Sequence, residues 1–443
     1  MNLNAIHSVY LLGIGGIGMS ALARYFKAKG VRVSGYDKTP SQLTDELEAE
    51  GIPVYFEDDI ASVSEADLFI YTPAIPAAHP AFQFVGENGG KWFKRSEVLQ
   101  WITEQTTTVA VAGTHGKTTT TAILAHLLHQ SRGNVAAFVG GVMTNYQTNL
   151  ISCENPTLTV VEADEYDRSF LRLTPEVAVI TSLDPDHLDI YGTFEAMKDD
   201  YRTFASRAKT LIVHESVSNE FNHPNKRVYG FGDDTDYRIA DIAVVDGRFV
   251  FSLNANSNLS LQLAGKHNVE NASAALAVCD VLGVEAHSAL KSFKGVRRRF
   301  ERVFETEDKV VVDDYAHHPK EIEAAVNAAK TLYSGKKVAV VFQPHLFTRT
   351  RDLEDDFVAS LSLADEVILL PIYPAREEPI EGVTSANLLN KLPLKTKQLV
   401  EKSHLVNAVL SLTAEIVLML GAGDIDRLVQ PLVNELKRTA NVE

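Results

Sequence analysis

The chain has 443 residues, of which 45% are hydrophobic and 23% are charged, a balance that argues against disordered, fibrous or coiled-coil structure. A chain of this length is too long to fold around a single hydrophobic core, so about three domains are predicted. The net charge of −16 disfavours non-specific binding to nucleic acid or to an anionic membrane, because both need a basic surface.

Composition and the N-terminal segment favour a cytoplasmic protein. The two cysteines, Cys153 and Cys279, are too few and too far apart in sequence for a disulfide framework or a zinc cluster. The first apolar run lacks a basic flank and is broken by glycines, so it predicts a strand and a turn rather than a signal peptide. No stretch approaches the length of about 20 apolar residues that a membrane-spanning helix needs, so we expect no membrane insertion.

Short apolar, β-branched runs alternate with amphipathic segments, which predicts parallel sheets covered by helices. Strands are predicted at residues 8–12, 107–112, 158–162, 177–182, 310–313, 338–342, 367–370 and 416–420. The pattern starts three times, so we expect an α/β protein with domains at residues 1–105, 106–296 and 297–443. Turn signals between residues 215 and 262 predict a small antiparallel part in the central domain.

A glycine-rich turn follows the first predicted strand and opens a helix. The glycines of Gly13-Ile14-Gly15-Gly16-Ile17-Gly18, together with Asp37 about 20 residues on, match a dinucleotide-binding fingerprint. Exposed amides at such a helix start favour a diphosphate. The pattern alone also fits a tight turn without ligand, or a nicotinamide-dependent dehydrogenase.

A second loop, AGTHGKTTTT, lies between the strand at residues 107–112 and a helix. It resembles a phosphate loop, with Lys117 neutralising phosphate charge and the Thr118 hydroxyl placed for Mg²⁺, and it predicts ATP as ligand. Only two residues separate its first glycine from Gly-Lys, where the common loop has four. The predicted ATP ligands in the loop are Gly113, Thr114, His115, Gly116, Lys117, Thr118 and Thr119.

Acidic and histidine residues follow the next two predicted strands. Glu162 and His187 are the favoured magnesium ligands, since both should face the terminal phosphate. Asp164 fits either a metal ligand or a helix cap. For Asp189 a helix cap is the better explanation.

Further polar clusters complete the predicted site. His267, Asn268 and Asn271 precede a helical run, where they fit adenine contacts or a helix N-cap equally well. Residues 297–299 are three arginines, one of which is placed to reach phosphates, unless the segment is a solvated basic turn. Four strand-end clusters of the third domain fit a clamp for a zwitterionic amino acid or ion-pair networks: residues 313–319, 343–352, 373–379 and 421–424.

The ordered motifs GIGGIGMSALARYF, AGTHGKTTTT, VVEADEYDRSFL, DHLDIYG, GKHNVENASAALAV, RRRFE, DDYAHHP, FQPHLFTRTRDL and GAGD resemble the Mur ligase family of bacterial cell-wall synthesis. The resemblance covers nearly the whole chain, and the short phosphate loop is the form this family uses. It implies three domains: a Rossmann-like N-terminal domain, a central P-loop ATPase-type domain and a Rossmann-like C-terminal domain. FQPHLFTRTRDL resembles members that join L-alanine to UDP-N-acetylmuramate with ATP and Mg²⁺.

The resemblance also implies a role for each candidate residue. The implied ligands of the sugar nucleotide are Gly15, Gly16, Ile17, Gly18 and Asp37. Those of ATP outside the loop are His267, Asn268, Asn271, Arg299 and Asp314, and those of magnesium are Thr118, Glu162 and His187. Implied amino-acid ligands are His345, Arg349, Arg351, Tyr373 and Arg376, and implied catalytic residues are Lys117, Glu162, His187, Arg299 and His345.

Three alternatives remain at this point. A recycling ligase that attaches a murein tripeptide to the same sugar nucleotide is the nearest, followed by an oxidoreductase and a non-catalytic nucleotide-binding regulator. Two positions depart from the family pattern. Lys198 is out of register with the carbamylated lysine of related ligases, and Ala316 replaces a usual glycine.

Overall fold

The computed structural model describes residues 3–57, 63, 66–185, 188–375 and 377–440. The chain divides into two compact units. The first unit comprises Met1–Asp241, Phe251–Leu259 and Glu270–Phe293, and the second comprises Ile242–Val250, Ser260–Val269 and Lys294–Glu443. The strands form three sheets, of five, ten and six strands, which agrees with the predicted α/β class.

The five-stranded sheet is parallel and has the order β3-β2-β1-β4-β5. Its strands are β1 (Ser8–Leu12), β2 (Arg32–Tyr36), β3 (Val54–Tyr55), β4 (Leu68–Tyr71) and β5 (Trp92–Lys94). Its helices are α1 (Ile17–Ala28), α2 (Gln42–Ala49), α3 (Pro80–Glu87) and α4 (Arg95–Thr103). The strand order reverses between β1 and β4, and ligands of open α/β sheets bind at such a switch point.

The ten-stranded sheet has the order β15-β14-β13-β12-β11-β10-β6-β9-β7-β8. Its strands are β6 (Thr107–Ala112), β7 (Val135–Met143), β8 (Thr148–Ile151), β9 (Leu158–Glu162), β10 (Val177–Ile180), β11 (Thr210–His214), β12 (Lys226–Gly230), β13 (Tyr237–Val245), β14 (Arg248–Leu253) and β15 (Asn256–Leu261). Its helices are α5 (Lys117–Ser131), α6 (Leu188–Tyr191), α7 (Phe194–Ser206) and α8 (Lys266–Val281).

Strand β6 lies between β9 and β10 and is parallel to both, so three strand ends meet at the phosphate loop. β7 and β8 form an antiparallel hairpin at one edge. β13, β14 and β15 are neighbours joined by two-residue turns, a connection that only antiparallel strands allow. The predicted antiparallel part is therefore confirmed.

The six-stranded sheet has the order β16-β17-β21-β18-β19-β20. Its strands are β16 (Glu301–Glu305), β17 (Val310–Asp314), β18 (Val338–Phe342), β19 (Glu366–Leu369), β20 (Thr396–Leu399) and β21 (Ile416–Leu420). Only β16 runs antiparallel to its neighbour. The helices of this part are α9 (Pro319–Leu332), α10 (Phe347–Asp352), α11 (Glu354–Leu361), α12 (Ser385–Lys391), α13 (Leu405–Leu410) and α14 (Asp426–Ala440).

Short 3₁₀ helices add local turns at Leu3–Ala5, Ser169–Arg172, Glu215–Glu220, His287–Ser292 and Lys402–His404. Among the described residues, no helix combines the length and the apolar composition that crossing a membrane requires.

Two predicted strands end earlier than expected, β19 by one residue, at Leu369, and β10 by two. β10 stops at Ile180 rather than at residue 182, because Thr181 and Ser182 turn toward the phosphate loop. The carbonyl oxygen of Ser182 accepts a hydrogen bond from Thr114 N at 3.3 Å. The Ser182 hydroxyl accepts one from His115 N at 2.8 Å.

Gly35→Ala tests the close packing of β2 on β1. A Cβ atom at Gly35 would lie 2.3 Å from the carbonyl oxygen of Leu11 and 2.9 Å from Ile14, so we expect the free energy of unfolding to fall by roughly 3 kcal/mol. Chemical denaturation measures this change. Gly86→Ala in α3 is the matched control, because no atom lies within 4 Å of its added Cβ, and it should gain about 0.5–1 kcal/mol. Equal stability of Gly35→Ala and the wild type would contradict the packing.

Candidate active site

The phosphate loop has a shape that only glycine allows at two positions. Gly113 has φ +136° and Gly116 has φ +82°, in the left-handed region. A Cβ atom at Gly113 would lie 2.0 Å from the Thr181 hydroxyl, and one at Gly116 would lie 2.5 Å from Oδ1 of Asn271. The glycines therefore let the loop pack between the β10 end and helix α8.

Helix α5 begins directly after Gly116, at Lys117. The first amides of a helix have no partner within the helix and carry partial positive charge, so they favour an anion. Thr114 also holds the loop, because its hydroxyl lies 3.0 Å from that of Ser182 and accepts a hydrogen bond from Asp184 N at 3.1 Å. The arrangement suits a phosphate group.

Lys117 is held by buried partners. Its ammonium donates to the carbonyl oxygen of Gly113 at 2.6 Å and to Oε1 of Glu165 at 2.8 Å. Burial disfavours the charged lysine, but the carboxylates of Glu165 and Glu162 outweigh this effect, so the pKa of Lys117 is raised. The ammonium is therefore charged at neutral pH and available to phosphate oxygens that replace one of these partners.

Thr118 and Glu162 form the described part of the predicted magnesium site. The Thr118 hydroxyl donates to Oε1 of Glu162 at 3.0 Å, and Gly140 N donates to Oε2 at 3.0 Å. A Cβ atom at Gly140 would lie 2.2 Å from Oε2, so a side chain there would displace the Glu162 carboxylate.

These hydroxyl and carboxylate oxygens are the hard ligands that Mg²⁺ prefers, and Mg²⁺ usually keeps waters and substrate phosphates as well. The residues therefore fit the ion. His187, the third predicted ligand, lies outside the described residues. Within the part of the chain that the structure describes, no group of three His, Cys, Asp or Glu side chains is placed to hold a metal.

The predicted adenine ligands fall in different places. Asn271 lies beside Gly116 and its Oδ1 accepts a hydrogen bond from Thr120 at 3.2 Å, so it also supports the start of α5. His267 and Asn268 belong to the second unit. There Asn268 is buried and its amide donates to the carbonyl oxygen of Ala264 at 2.7 Å. Adenine contacts by these side chains stay a prediction.

The N-terminal glycine turn lies at the switch point between β1 and β4. Gly13 has φ +87°, and a Cβ atom there would lie 2.5 Å from Thr72, which follows β4. Gly15 N donates to Oδ2 of Asp37 at 2.9 Å, so the carboxylate orders the turn. Gly16 caps α1, and Ile17 and Gly18 form its first turn. The structure thus brings the five predicted sugar-nucleotide ligands together.

Arg95 is a candidate that the sequence analysis missed. A Cβ atom at Gly18 would lie 3.1 Å from Cδ and 3.2 Å from Nη1 of Arg95, so the guanidinium lies against the start of α1. Its Nη2 is 4.0 Å from Oδ2 of Asp164, which follows β9. Arg95 directly follows β5 at the same edge of the sheet as the glycine turn, and this position was the available signal.

In the second unit, the arginine segment packs on the end of β17. Arg298 donates to the carbonyl oxygen of Gly421 at 2.6 Å and lies 3.6 Å from Asp313. Arg299, the predicted phosphate ligand, lies over the ring of Tyr315 at 5.4 Å. Asp314, also predicted near ATP, accepts hydrogen bonds from Phe300 N and Ala316 N at 2.6 and 2.8 Å.

Both aspartates have raised pKa values. Burial raises the pKa of Asp313 to about 7 and that of Asp314 to about 6, in each case against the opposing effect of an arginine.

Two of the predicted amino-acid ligands, His345 and Tyr373, lie in the segments that follow β18 and β19. His345 stacks on Tyr373 with ring centroids 5.7 Å apart and an interplanar angle of 14°. His317 lies 6.1 Å from His345. Burial, together with the nearby His317 and Arg349, lowers the pKa of His345 to about 4, against the opposing effect of Glu377.

Three arginines were predicted for this site, and the first of them, Arg349, lies in α10. Arg351 is exposed and pairs with Asp352 at 2.7 Å. Arg376 lies outside the described residues. A second interaction beside Tyr373 was not predicted: Lys402 pairs with Asp424 at 2.6 Å and lies 5.8 Å from the ring centroid of Tyr373.

Three family models match the chain in order. Residues 8–107 match the model described as Mur ligase family, catalytic domain, residues 111–279 match the Mur ligase middle domain, and residues 298–425 match the Mur ligase, glutamate ligase domain.

Similar proteins cover nearly the whole chain. It is 47% identical to a curated UDP-N-acetylmuramate–L-alanine ligase of Cytophaga hutchinsonii, over 98% of this chain and 97% of that protein. The crystal structure of a UDP-N-acetylmuramate-alanine ligase from Thermotoga maritima is 28% identical, with a TM-score of 0.85 over 98% of this chain and 99% of that one. A murein peptide ligase from Psychrobacter arcticus is 23% identical and similar in fold, with a TM-score of 0.69 over 97% and 98%.

His345→Gln tests the burial of the imidazole. The pKa of His345 in the folded chain, about 4, lies below the ordinary value of 6.5, so the unfolded chain binds the proton first as the pH falls. The wild type therefore loses stability between pH 6.5 and about 4, and the variant lacks this loss. We expect the substitution to cost less stability at pH 4.5 than at pH 7.5, as measured by denaturation with urea. A difference that is constant over this range would contradict the assignment.

Proposed function

The chain belongs to the Mur ligase family, and we propose that it uses ATP to join L-alanine to the lactyl carboxylate of UDP-N-acetylmuramate, a step of peptidoglycan precursor synthesis. The observation that carries this proposal is full-length similarity to a ligase of that name, combined with a phosphate loop whose lysine and threonine lie beside Glu165 and Glu162.

ATP binds at the start of α5 in this proposal. The loop amides and Lys117 bind the phosphates, and Thr118, Glu162 and His187 would hold Mg²⁺. When bound, the ion would supply charge neutralisation for the triphosphate. UDP-N-acetylmuramate binds at the start of α1, where the amides of residues 15–18 face the diphosphate and the Arg95 guanidinium lies beside them.

The reaction has two steps. The lactyl carboxylate attacks the γ-phosphorus of ATP, which forms an acyl phosphate and releases ADP. The neutral amine of L-alanine then attacks the acyl carbon, the bond to the phosphate oxygen breaks, and inorganic phosphate leaves. Lys117 stabilises the negative charge of the transferring phosphoryl group, and alignment of the reactants supplies the rest of the acceleration.

L-alanine binds beside His345 and Tyr373. The guanidinium groups of Arg349 and Arg351 suit the carboxylate of the amino acid. The imidazole of His345 is neutral at physiological pH because its pKa is lowered to about 4, so it does not repel the alanine ammonium. We place the reaction in the cytoplasm, where ATP is available.

Lys117→Ala tests the phosphate loop. Loss of the ammonium leaves phosphate charge uncompensated, so we expect product formation to fall at least about a hundredfold. Phosphate release with ATP, UDP-N-acetylmuramate and L-alanine measures it. Lys209→Ala is the matched control, because Lys209 is exposed and pairs only with Glu176 in the described contacts. An unchanged rate in Lys117→Ala would refute the assignment of the loop.

A substrate panel tests the acceptor. With ATP and UDP-N-acetylmuramate present, we expect phosphate release with L-alanine and little with the murein tripeptide. Phosphate release with the tripeptide alone would assign the chain to the recycling reaction. A change in nicotinamide absorbance with UDP-N-acetylmuramate would instead support an oxidoreductase.

A further inference from the structure

A buried amide joins the first helix to the edge of the central sheet. Asn149 of β8 is fully buried, and its Nδ2 donates to the carbonyl oxygen of Ile17 at 2.6 Å and to the Ser20 hydroxyl at 2.9 Å. Its Oδ1 accepts a hydrogen bond from Nη1 of Arg24 at 2.5 Å. All three partners belong to α1, so the amide makes each of its hydrogen bonds across the interface between the two sheets.

The charge beside this amide is balanced. Arg24 is buried, and its Nε and Nη2 donate to both carboxylate oxygens of Glu50 at 2.6–3.1 Å. Glu46 adds a contact at 3.4 Å. A buried guanidinium needs such partners. Arg24 donates to Oδ1 of Asn149, while Ile17 and Ser20 accept from Nδ2, so the amide has one orientation.

Two of the three α1 residues that Asn149 contacts, Ile17 and Ser20, lie in the first turn of the helix, where the diphosphate of the sugar nucleotide binds in the proposed function. Ile17 supplies both a carbonyl oxygen to Asn149 and an amide to that turn. The other strand of the same hairpin reaches the predicted magnesium site, because Gly140 of β7 donates its N–H to Glu162. The β7–β8 hairpin therefore contacts both nucleotide sites.

Apolar packing alone already holds α1 on this hairpin. Tyr25 lies 5.4 Å from the ring of Phe138, and both residues are buried. Cohesion of the interface therefore does not need a buried amide, whose burial is costly unless its hydrogen bonds are satisfied. The amide adds a directional constraint. Its two N–H groups fix the position of the first turn of α1 along the helix axis, and its rotation about that axis, relative to β8.

We propose that Asn149 is a positioning residue for the sugar nucleotide: it fixes the first turn of α1 on the β7–β8 hairpin, and thereby sets the diphosphate site at a constant distance from the phosphate loop. This inference rests on the proposed function for the identity of the ligand. Asn149 contacts no substrate and acts through the backbone of Ile17 and the side chain of Ser20.

Asn149→Asp is the sharpest variant, because it keeps the shape and the acceptor for Arg24 but lacks both N–H donors. We expect the Kd for UDP-N-acetylmuramate, measured by calorimetry, to rise about tenfold, the effect of about one lost hydrogen bond. The KM values for ATP and L-alanine should stay within about twofold. Asn149→Ala should show the same selective loss, and Asn149→Asp carries the test if the alanine variant does not fold.

Asn145→Ala is the matched control, since Asn145 lies in the turn of the same hairpin but donates to the carbonyl oxygen of Ser292 rather than to α1. Its Kd should equal that of the wild type. An unchanged Kd in folded Asn149→Asp, or KM values for ATP and L-alanine that rise as much as the Kd for UDP-N-acetylmuramate, would overturn the positioning role. Binding is measured without L-alanine, so failure to use L-alanine would contradict the proposed function and not this inference.

Discussion

Two anionic nucleotides have to bind to a chain with a net charge of −16, so positive potential must be concentrated at a few points. The starts of α1 and α5 provide this potential, because the first amides of each helix have no carbonyl partner within the helix and carry partial positive charge. Glycines at 16 and 116 bring a ligand close to these amides. Lys117 and Arg95 add full charges beside them, and the rest of the surface can stay acidic.

The charge of Lys117 is held by a buried counter-charge. Glu165, which contacts the Lys117 ammonium, is 1% exposed. Breaking such a pair by removing one partner costs about 3–5 kcal/mol, because it leaves an uncompensated charge. In the proposed function, Lys117 therefore exchanges one set of oxygen partners for another when phosphate binds, and its side chain is already largely buried before binding.

Local sequence patterns predict much of the fold and part of the site. Local sequence is enough to predict the strands at residues 107–112 and 158–162 and the glycine turns. Apolar residues and glycines determine such elements through neighbours only a few positions away. Arg95, Asn149 and the role of Glu165 as partner of Lys117 could not be predicted in this way. Their partners lie 48 to 132 positions away, and only the strand order brings them together.

The short phosphate loop shows how such a distant contact shapes a local motif. With two residues instead of four between its first glycine and Gly-Lys, the loop has fewer amides to hold its own shape. The end of β10 compensates, because Ser182 accepts hydrogen bonds from Thr114 N and His115 N. Gly113 is pressed against Thr181 at a distance that no side chain permits. The shortened loop and the early end of β10 are therefore one structural feature, and neither is stable in this form without the other.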